Sequence, residues 1–349
     1  MKKIYCDHNA TTPIHPEVLD VMGLYLKEEW GNPSSIHWAG RGPKKGIDEG
    51  REAVCKFLNC SPVELVFTAS GSESDNLAIK GVAYSKKNKG NHIITTKVEH
   101  PAVLNTCKYL EREGFEVTYL GVDAEGMIDL EELKSAITDK TILITIMYAN
   151  NETGVIFPVS EIGEIAKAAR VTFHTDAVQA AGKLSLDVKT LNCDLLTISA
   201  HKIYGPKGIG ALYIKRGTRV VPLVHGGHHE RNRRGGTENV AAIAAFGKAC
   251  EIAARDMESE GVRLSKLVKK LEDGILPVVP ASKVNGLLDK RIFNTTNISF
   301  EFIEGESLLL NLDMLGVAAS SGSACTSGSL EPSHVLTSMG IPPEASHGS

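Results

Sequence analysis

From Gly42 to about Lys215 the chain alternates short β-branched runs with longer amphipathic stretches, and this alternation leaves few folds open. The runs fall at 65–68, 92–96, 116–120, 141–148, 171–175, 195–199 and 210–214. Between them lie helical patterns such as 73–84, 101–113, 129–136 and 159–169. Strands that recur with helices between them predict an α/β fold, a mostly parallel sheet covered by helices on both faces with right-handed crossovers. Such sheets bind ligands beyond the carboxyl ends of their strands, so the chemistry belongs in the loops that follow each run.

After a Gly-, His- and Arg-rich loop at 224–238 the pattern changes. Residues 239–273 read as one long helix, or two with a break near Gly261. A short strand at 297–302, a helix at 306–315 and a small-residue loop at 318–329 follow. This predicts a large unit over 16–238 and a smaller α+β unit built from 1–15 and 239–349. Formal charge is 38 − 42 = −4, without the basic excess of a nucleic-acid binder. No apolar run approaches the roughly 18 residues of a membrane span. The start MKKIYCDHNATTP has no apolar core behind its lysines. The expectation is a soluble cytoplasmic protein that meets neither nucleic acid nor membrane. Seven cysteines, irregularly spaced and without a CxxC pair, argue against a disulfide framework or a zinc site.

Four segments carry chemistry. Thr68-Ala-Ser-Gly-Ser-Glu-Ser-Asp-Asn76 joins a strand to a helix. Its small residues either cradle a phosphate on free backbone N–H groups or form an ordinary N-cap through Ser72 or Ser74. The spacing matches neither GxGxxG nor a Walker A loop. Asp176 closes a strand, where a buried carboxylate needs a partner: backbone, or the protonated ring nitrogen of a cofactor. Lys202 directly follows another strand, and burial lowers a lysine's pKa toward the range of an amine that attacks carbonyls. Ser199 and His201 flank it as phosphate donors, whereas Lys207, between Pro206 and Gly208, reads as solvated. A phosphate cradle, an acid and a lysine together suit pyridoxal 5′-phosphate. In the fourth segment, Ala319 to Ser329, Cys325 is either incidental to a linker or a reactive thiol. His225, His228 and His229 lack an acidic or cysteine partner at ligand spacing, so no metal site is predicted. Arg231, Arg233 and Arg234 either steer an anionic partner or are simply solvated.

These residues resemble the cysteine desulfurases of the NifS/IscS type, within the class V, fold-type I pyridoxal-phosphate enzymes. The likeness runs from Tyr5-Cys-Asp-His-Asn-Ala-Thr-Thr-Pro13 through Asn32-Pro-Ser-Ser35, Glu99-His-Pro-Ala-Val103, Asn150-Asn-Glu-Thr-Gly154, Ser199-Ala-His-Lys202 and Arg234-Gly-Gly-Thr-Glu-Asn239 to Ser321-Gly-Ser-Ala-Cys325. It implies that Lys202 binds the cofactor covalently and shuttles protons, that Asp176 pairs with the ring nitrogen, and that His100 stacks on the ring and takes a catalytic part in proton transfer. It implies that Asn151 and Gln179 bond the phenolic oxygen, and that Gly71, Ser72, Ser199 and His201 hold the phosphate. Thr237 then reaches the phosphate of a neighbouring subunit in a homodimer. Cys325 is the implied nucleophile, taking sulfur from L-cysteine as a persulfide and leaving alanine. The implied partner is an iron–sulfur scaffold or another sulfur acceptor, with Cys325 contributing to a cluster-ligand environment. The family pattern continues past the Ala345–Ser349 end of this sequence into a strand whose arginine clamps the substrate carboxylate. Its absence here leaves open a weakly active or non-catalytic docking partner with a shortened small unit, or another class V enzyme such as an aminotransferase.

Overall fold

The computed structural model describes residues 2–322 and 332–349. A short N-terminal strand, β1 (Ile4–Tyr5), precedes the strands of the main sheet: β2 (Leu65–Thr68), β3 (His92–Thr96), β4 (Glu116–Leu120), β5 (Thr141–Thr145), β6 (Thr172–Asp176), β7 (Leu195–Ser199) and β8 (Gly210–Ile214). Their order is β2-β8-β7-β6-β5-β3-β4. Every contact from β7 across to β4 is parallel, and β8 runs antiparallel to both β7 and β2. All strands of this sheet except β8 therefore end on the same edge, which collects the loops that carry the predicted chemistry.

Consecutive residues of these strands face different cores, as the pleat requires. Ile94, Ile144, Leu196 and Ala211 enter one hydrophobic cluster, and Ile93, Leu143, Leu195 and Leu212 the other. Both faces are covered, so the strands read as continuous apolar runs. The run expected at 141–148 leaves regular strand geometry at Thr145, yet Ile146 and Tyr148 still donate their N–H groups to His174 and Asp176. The run expected at 171–175 lies one residue later, which makes Asp176 the last residue of its strand.

The long helix spans Val240–Ile275 without a break. Gly261 stays within it because it faces the Phe293 ring, where a Cβ would lie 3.3 Å from Cδ1. Its buried first turns press on the helix Trp38–Leu58 so closely that a Cβ on Gly247 would lie 2.7 Å from Gly50 Cα. Two small strand pairs complete the molecule. In one, β9 (Ser282–Val284) runs antiparallel to β10 (Ile298–Phe300); in the other, β11 (Val317–Ala318) runs parallel to β1. Among the described residues no helix is long and apolar enough to cross a membrane.

Candidate active site

The helix Gly71–Lys86 begins where β2 ends. Its N-cap is Ser70, whose Oγ accepts from Glu73 N at 3.1 Å, rather than Ser72 or Ser74. Ser74 instead points inward, its hydroxyl 2.7 Å from Thr68 Oγ1, and Ser72 is exposed. The cap sits two residues before Ser72 because β2 stops at Thr68 and only Ala69 separates it from Ser70. Two glycines let this turn lie against the sheet. A Cβ on Gly210 of β8 would lie 2.6 Å from Ser70 C, and one on Gly71 would meet Val178 Cγ2 at 3.0 Å. Among the described residues the N–H groups of Gly71 and Ser72 find no acceptor, so the helix start faces the strand ends with open donors.

Asp176 and Lys202 reach this edge from neighbouring strands. Asp176 ends β6, is buried, and accepts from Val178 N at 2.9 Å. Burial pushes its carboxyl up to about 6, against the opposing pull of the Val178 N–H and the Lys202 charge. Lys202 closes a single helical turn, Ala200–Lys202, directly after β7. Its Nζ donates to the carbonyl of Asn9 and, at 2.7 Å, to that of Ala10. The amine and the carboxyl thus feel each other across one edge. Ser199 ends β7 fully buried, and His201 bonds through Nδ1 to Thr11 Oγ1 at 3.2 Å. Lys207 is exposed in its turn.

The histidines around the site are held neutral. Burial first, then the Lys202 charge, lowers both His100 and His201 to about 4. His100 also caps the helix Pro101–Arg112 by accepting from Ala102 N. Behind Asp176, His174 bonds through Nδ1 to Thr145 Oγ1 at 2.8 Å and through Nε2 to Thr197 Oγ1 at 3.0 Å, and burial takes it down to about 3. Asp75, buried on the helix 71–86, is raised well above the usual carboxylate range by burial and by the charge of Asp176. Glu99 is fully buried, accepts from Thr96 Oγ1 and Met147 N, and is raised by burial to about 8.

One residue the sequence reading missed joins these parts. The Asn9 carbonyl accepts from Lys202 Nζ and from Gln179 Nε2, the latter at 2.9 Å. The Asn9 side chain donates to the Asn151 carbonyl at 3.2 Å and to Thr295 Oγ1 at 2.9 Å. Lys202, Gln179 and Asn151 therefore meet at the N-terminal strap. In the sequence Asn9 stood within the Tyr5–Pro13 stretch of the family likeness, with no local pattern to mark it as a site residue. Thr237 is exposed on the loop before the long helix. Cys325 and most of its loop lie outside the described residues. Arg231, Arg233 and Arg234 are anchored to the Pro62 carbonyl, the Val63 carbonyl and Glu73. These bonds tie the 231–234 loop to the segment before β2 and to the first turn of the helix Gly71–Lys86.

What this edge offers is a place for an anion beside a buried acceptor. The open N–H groups at Gly71 and Ser72 suit a phosphate, and Gln179 Oε1 is buried without a hydrogen-bond partner. A family model described as aminotransferase class-V matches residues 4–342. The chain belongs to the class-V aminotransferase family. Within it, the chain is 53% identical over 350 residues to a protein named cysteine desulfurase IscS from Clostridium botulinum, covering all of this chain and 88% of that one. It is likewise 53% identical over 348 residues to a cysteine desulfurase IscS of Methanosarcina thermophila, covering 100% of this chain and 86% of that protein. Among solved structures, a NifS-like protein superposes with a TM-score of 0.94 at 37% identity, covering 99% of this chain and 92% of the other. A structure described as SspA in complex with cysteine gives 0.88 at 36% identity, over 99% and 97% of the two chains. The class-V fold accounts for the mixed sheet with its single reversed strand.

Proposed function

We propose that this class-V protein is a pyridoxal-phosphate-dependent cysteine desulfurase that removes sulfur from L-cysteine, leaves L-alanine and carries the sulfur as a persulfide on Cys325. One observation carries the reading: an amine, a buried carboxyl and an open helix start converge at one strand edge, in a chain 53% identical to proteins named cysteine desulfurase. The donor set fits the cofactor. Gly71, Ser72, Ser199 and His201 would hold the phosphate, with Thr237 reaching that of a second subunit in a homodimer. Asp176 would face the ring nitrogen, His100 the ring face, and Asn151 and Gln179 the phenolic oxygen; the unpartnered Gln179 Oε1 supports this. A cofactor of this type, when bound, supplies an electron sink for charge developing at the substrate Cα.

The residues of the chain do the rest. Asp176, ionised, keeps a proton on the group it faces. Lys202 takes the Cα proton and returns it, working beside the Asn9 and Ala10 carbonyls that its amine already touches. The Cys325 thiolate attacks the substrate sulfur. An S–S bond forms, the C–S bond breaks, and the electron pair left on carbon takes up protons to give alanine. The division into 16–238 and 1–15 plus 239–349 belongs to this proposal, supported by the pairing of β1 with β11. So do a cytoplasmic location and delivery to an iron–sulfur scaffold or other acceptor.

The purified protein should be yellow after reconstitution with pyridoxal phosphate, and Lys202→Ala should lose that colour. Cys325→Ala should keep the colour but form no persulfide. Colourless wild type, or no alanine from L-cysteine under reductant, would overturn the reading. A pyridoxamine product with a keto acid would point to an aminotransferase instead.

A further inference from the structure

Lys183 is a titratable side chain that the reaction above does not use. It lies seven residues after Asp176, in the turn that also carries Gln179, and Gly182 makes that turn possible. Gly182 has φ +70°, and its missing Cβ leaves room for Ile203, whose Cγ2 would be 3.0 Å away. The chain thereby doubles back so that Lys183 Nζ donates to the carbonyl of Lys202 at 3.3 Å. The two lysines line one cavity of about 410 Å³, bounded by the N-terminal strap, the 181–183 turn, the 202–204 segment and the long helix.

The charged groups around that cavity leave Lys183 without an acid of its own. On the long helix, Asp256 is engaged by Arg255 at 2.7 Å and Glu260 by Arg263 at 2.6 Å. On the strap, Cys6, His8 and His15 face the cavity, and Tyr204 faces it from the turn after Lys202. Among the described residues the one hydrogen bond of Lys183 is to Lys202, and no carboxylate pairs with it. Burial, then the Lys202 charge, lowers its amine to about 7; burial also lowers His8 and His201, and the Lys183 charge adds to this.

We infer that Lys183 is a positioning residue for Lys202: it fixes the 200–202 turn through the Lys202 carbonyl and places a second amine on the same cavity, where its charge works against a proton on Lys202 and that of Asp176 works for one. A lysine beside another cation is one of the few ways a protein obtains a neutral amine near neutral pH. The inference rests on the cysteine desulfurase reading, but its failure is separable, because alanine formation by wild type tests that reading alone.

The experiment compares Lys183→Met and Lys183→Arg with wild type, all loaded with pyridoxal phosphate. Two quantities are read against pH: the acid limb of alanine formation, and the midpoint of the visible band, which reports the proton on the Lys202 nitrogen. Removing the neighbouring charge should raise both by about one unit, a roughly tenfold loss of rate on the acid side. A permanently charged guanidinium should move both to lower pH. If Lys183→Met melts like wild type and neither quantity moves, or if the rate falls equally at every pH, Lys183 is merely structural and the inference fails. Should Lys183→Met not fold, Lys183→Arg decides alone: a lowered limb supports the inference, and an unmoved or raised one overturns it.

Discussion

Three influences on the proton of Asp176 disagree. Burial favours the neutral acid, whereas the Val178 N–H and the Lys202 charge favour the carboxylate. A group so balanced, near 6, becomes fully ionised once a cation is set against it, which is what the proposed role needs. Asp176→Asn keeps the shape and can still accept from Val178 N, but it cannot carry charge. The expected outcome is a folded protein that binds pyridoxal phosphate but forms alanine at least about a hundredfold more slowly. A variant as active as wild type would show that this carboxyl does not serve the ring. Asp176 and Lys202 were legible in the sequence because each stands at the end of an apolar run, where a charged residue is conspicuous. Asn9 and Lys183 were not. The value of Asn9 comes from partners 170 and 193 positions away, and no local pattern encodes such pairings. The N-cap was misread for the opposite reason: Ser70, Ser72 and Ser74 are equally good caps by type, and only the strand's end selects among them.

At the scale of elements, the main-sheet strands were legible to within a residue except at 141–148, where regular strand ends at Thr145, because both sheet faces are buried and the runs are apolar throughout. The direction of β8 was not, since hydrophobic pattern carries no polarity. What sets it is the connection from β7, which is too short for a helical crossover and so must return antiparallel. That reversed strand lays Gly210 under the start of the helix Gly71–Lys86. In Gly210→Ala the new Cβ would stand 2.6 Å from Ser70 C and 3.0 Å from Gly71 N, both backbone atoms that cannot rotate aside. The substitution should cost about 1–3 kcal/mol in denaturant unfolding and loosen retention of pyridoxal phosphate as well. Gly23, inside the helix Pro16–Lys27, has nothing within 4 Å of a built Cβ. Gly23→Ala should instead add about 0.5–1 kcal/mol and leave retention unchanged. Equal effects at the two positions would mean that the helix start does not depend on the close approach at β8.

The molecule as a whole buries acids and bases at one edge, and their effects on stability oppose each other. His100, His174 and His201 have folded values near 4, 3 and 4, below the 6.5 of an exposed histidine. As pH falls below about 6.5 the unfolded chain takes up protons that the folded one refuses, so these groups cost stability on the acid side. Glu99 and Glu152 behave in the other sense. Burial raises them to about 8 and about 7, above the 4.5 of an exposed glutamate. Between those limits the folded protein keeps protons the unfolded chain has lost. Their contribution is therefore complete below 4.5 and is lost as pH rises through the folded values. Glu99 separates the two effects because it is wholly buried and its acceptors serve Thr96 and Met147 rather than the amine of Lys202. Glu99→Gln keeps an acceptor oxygen and removes the titration. Unfolding free energy measured in denaturant from pH 4.5 to 9 should show wild type losing ground steadily to the variant up to about pH 8, with the two curves parallel beyond. Curves parallel over the whole range would mean that Glu99 holds its proton no more tightly folded than unfolded.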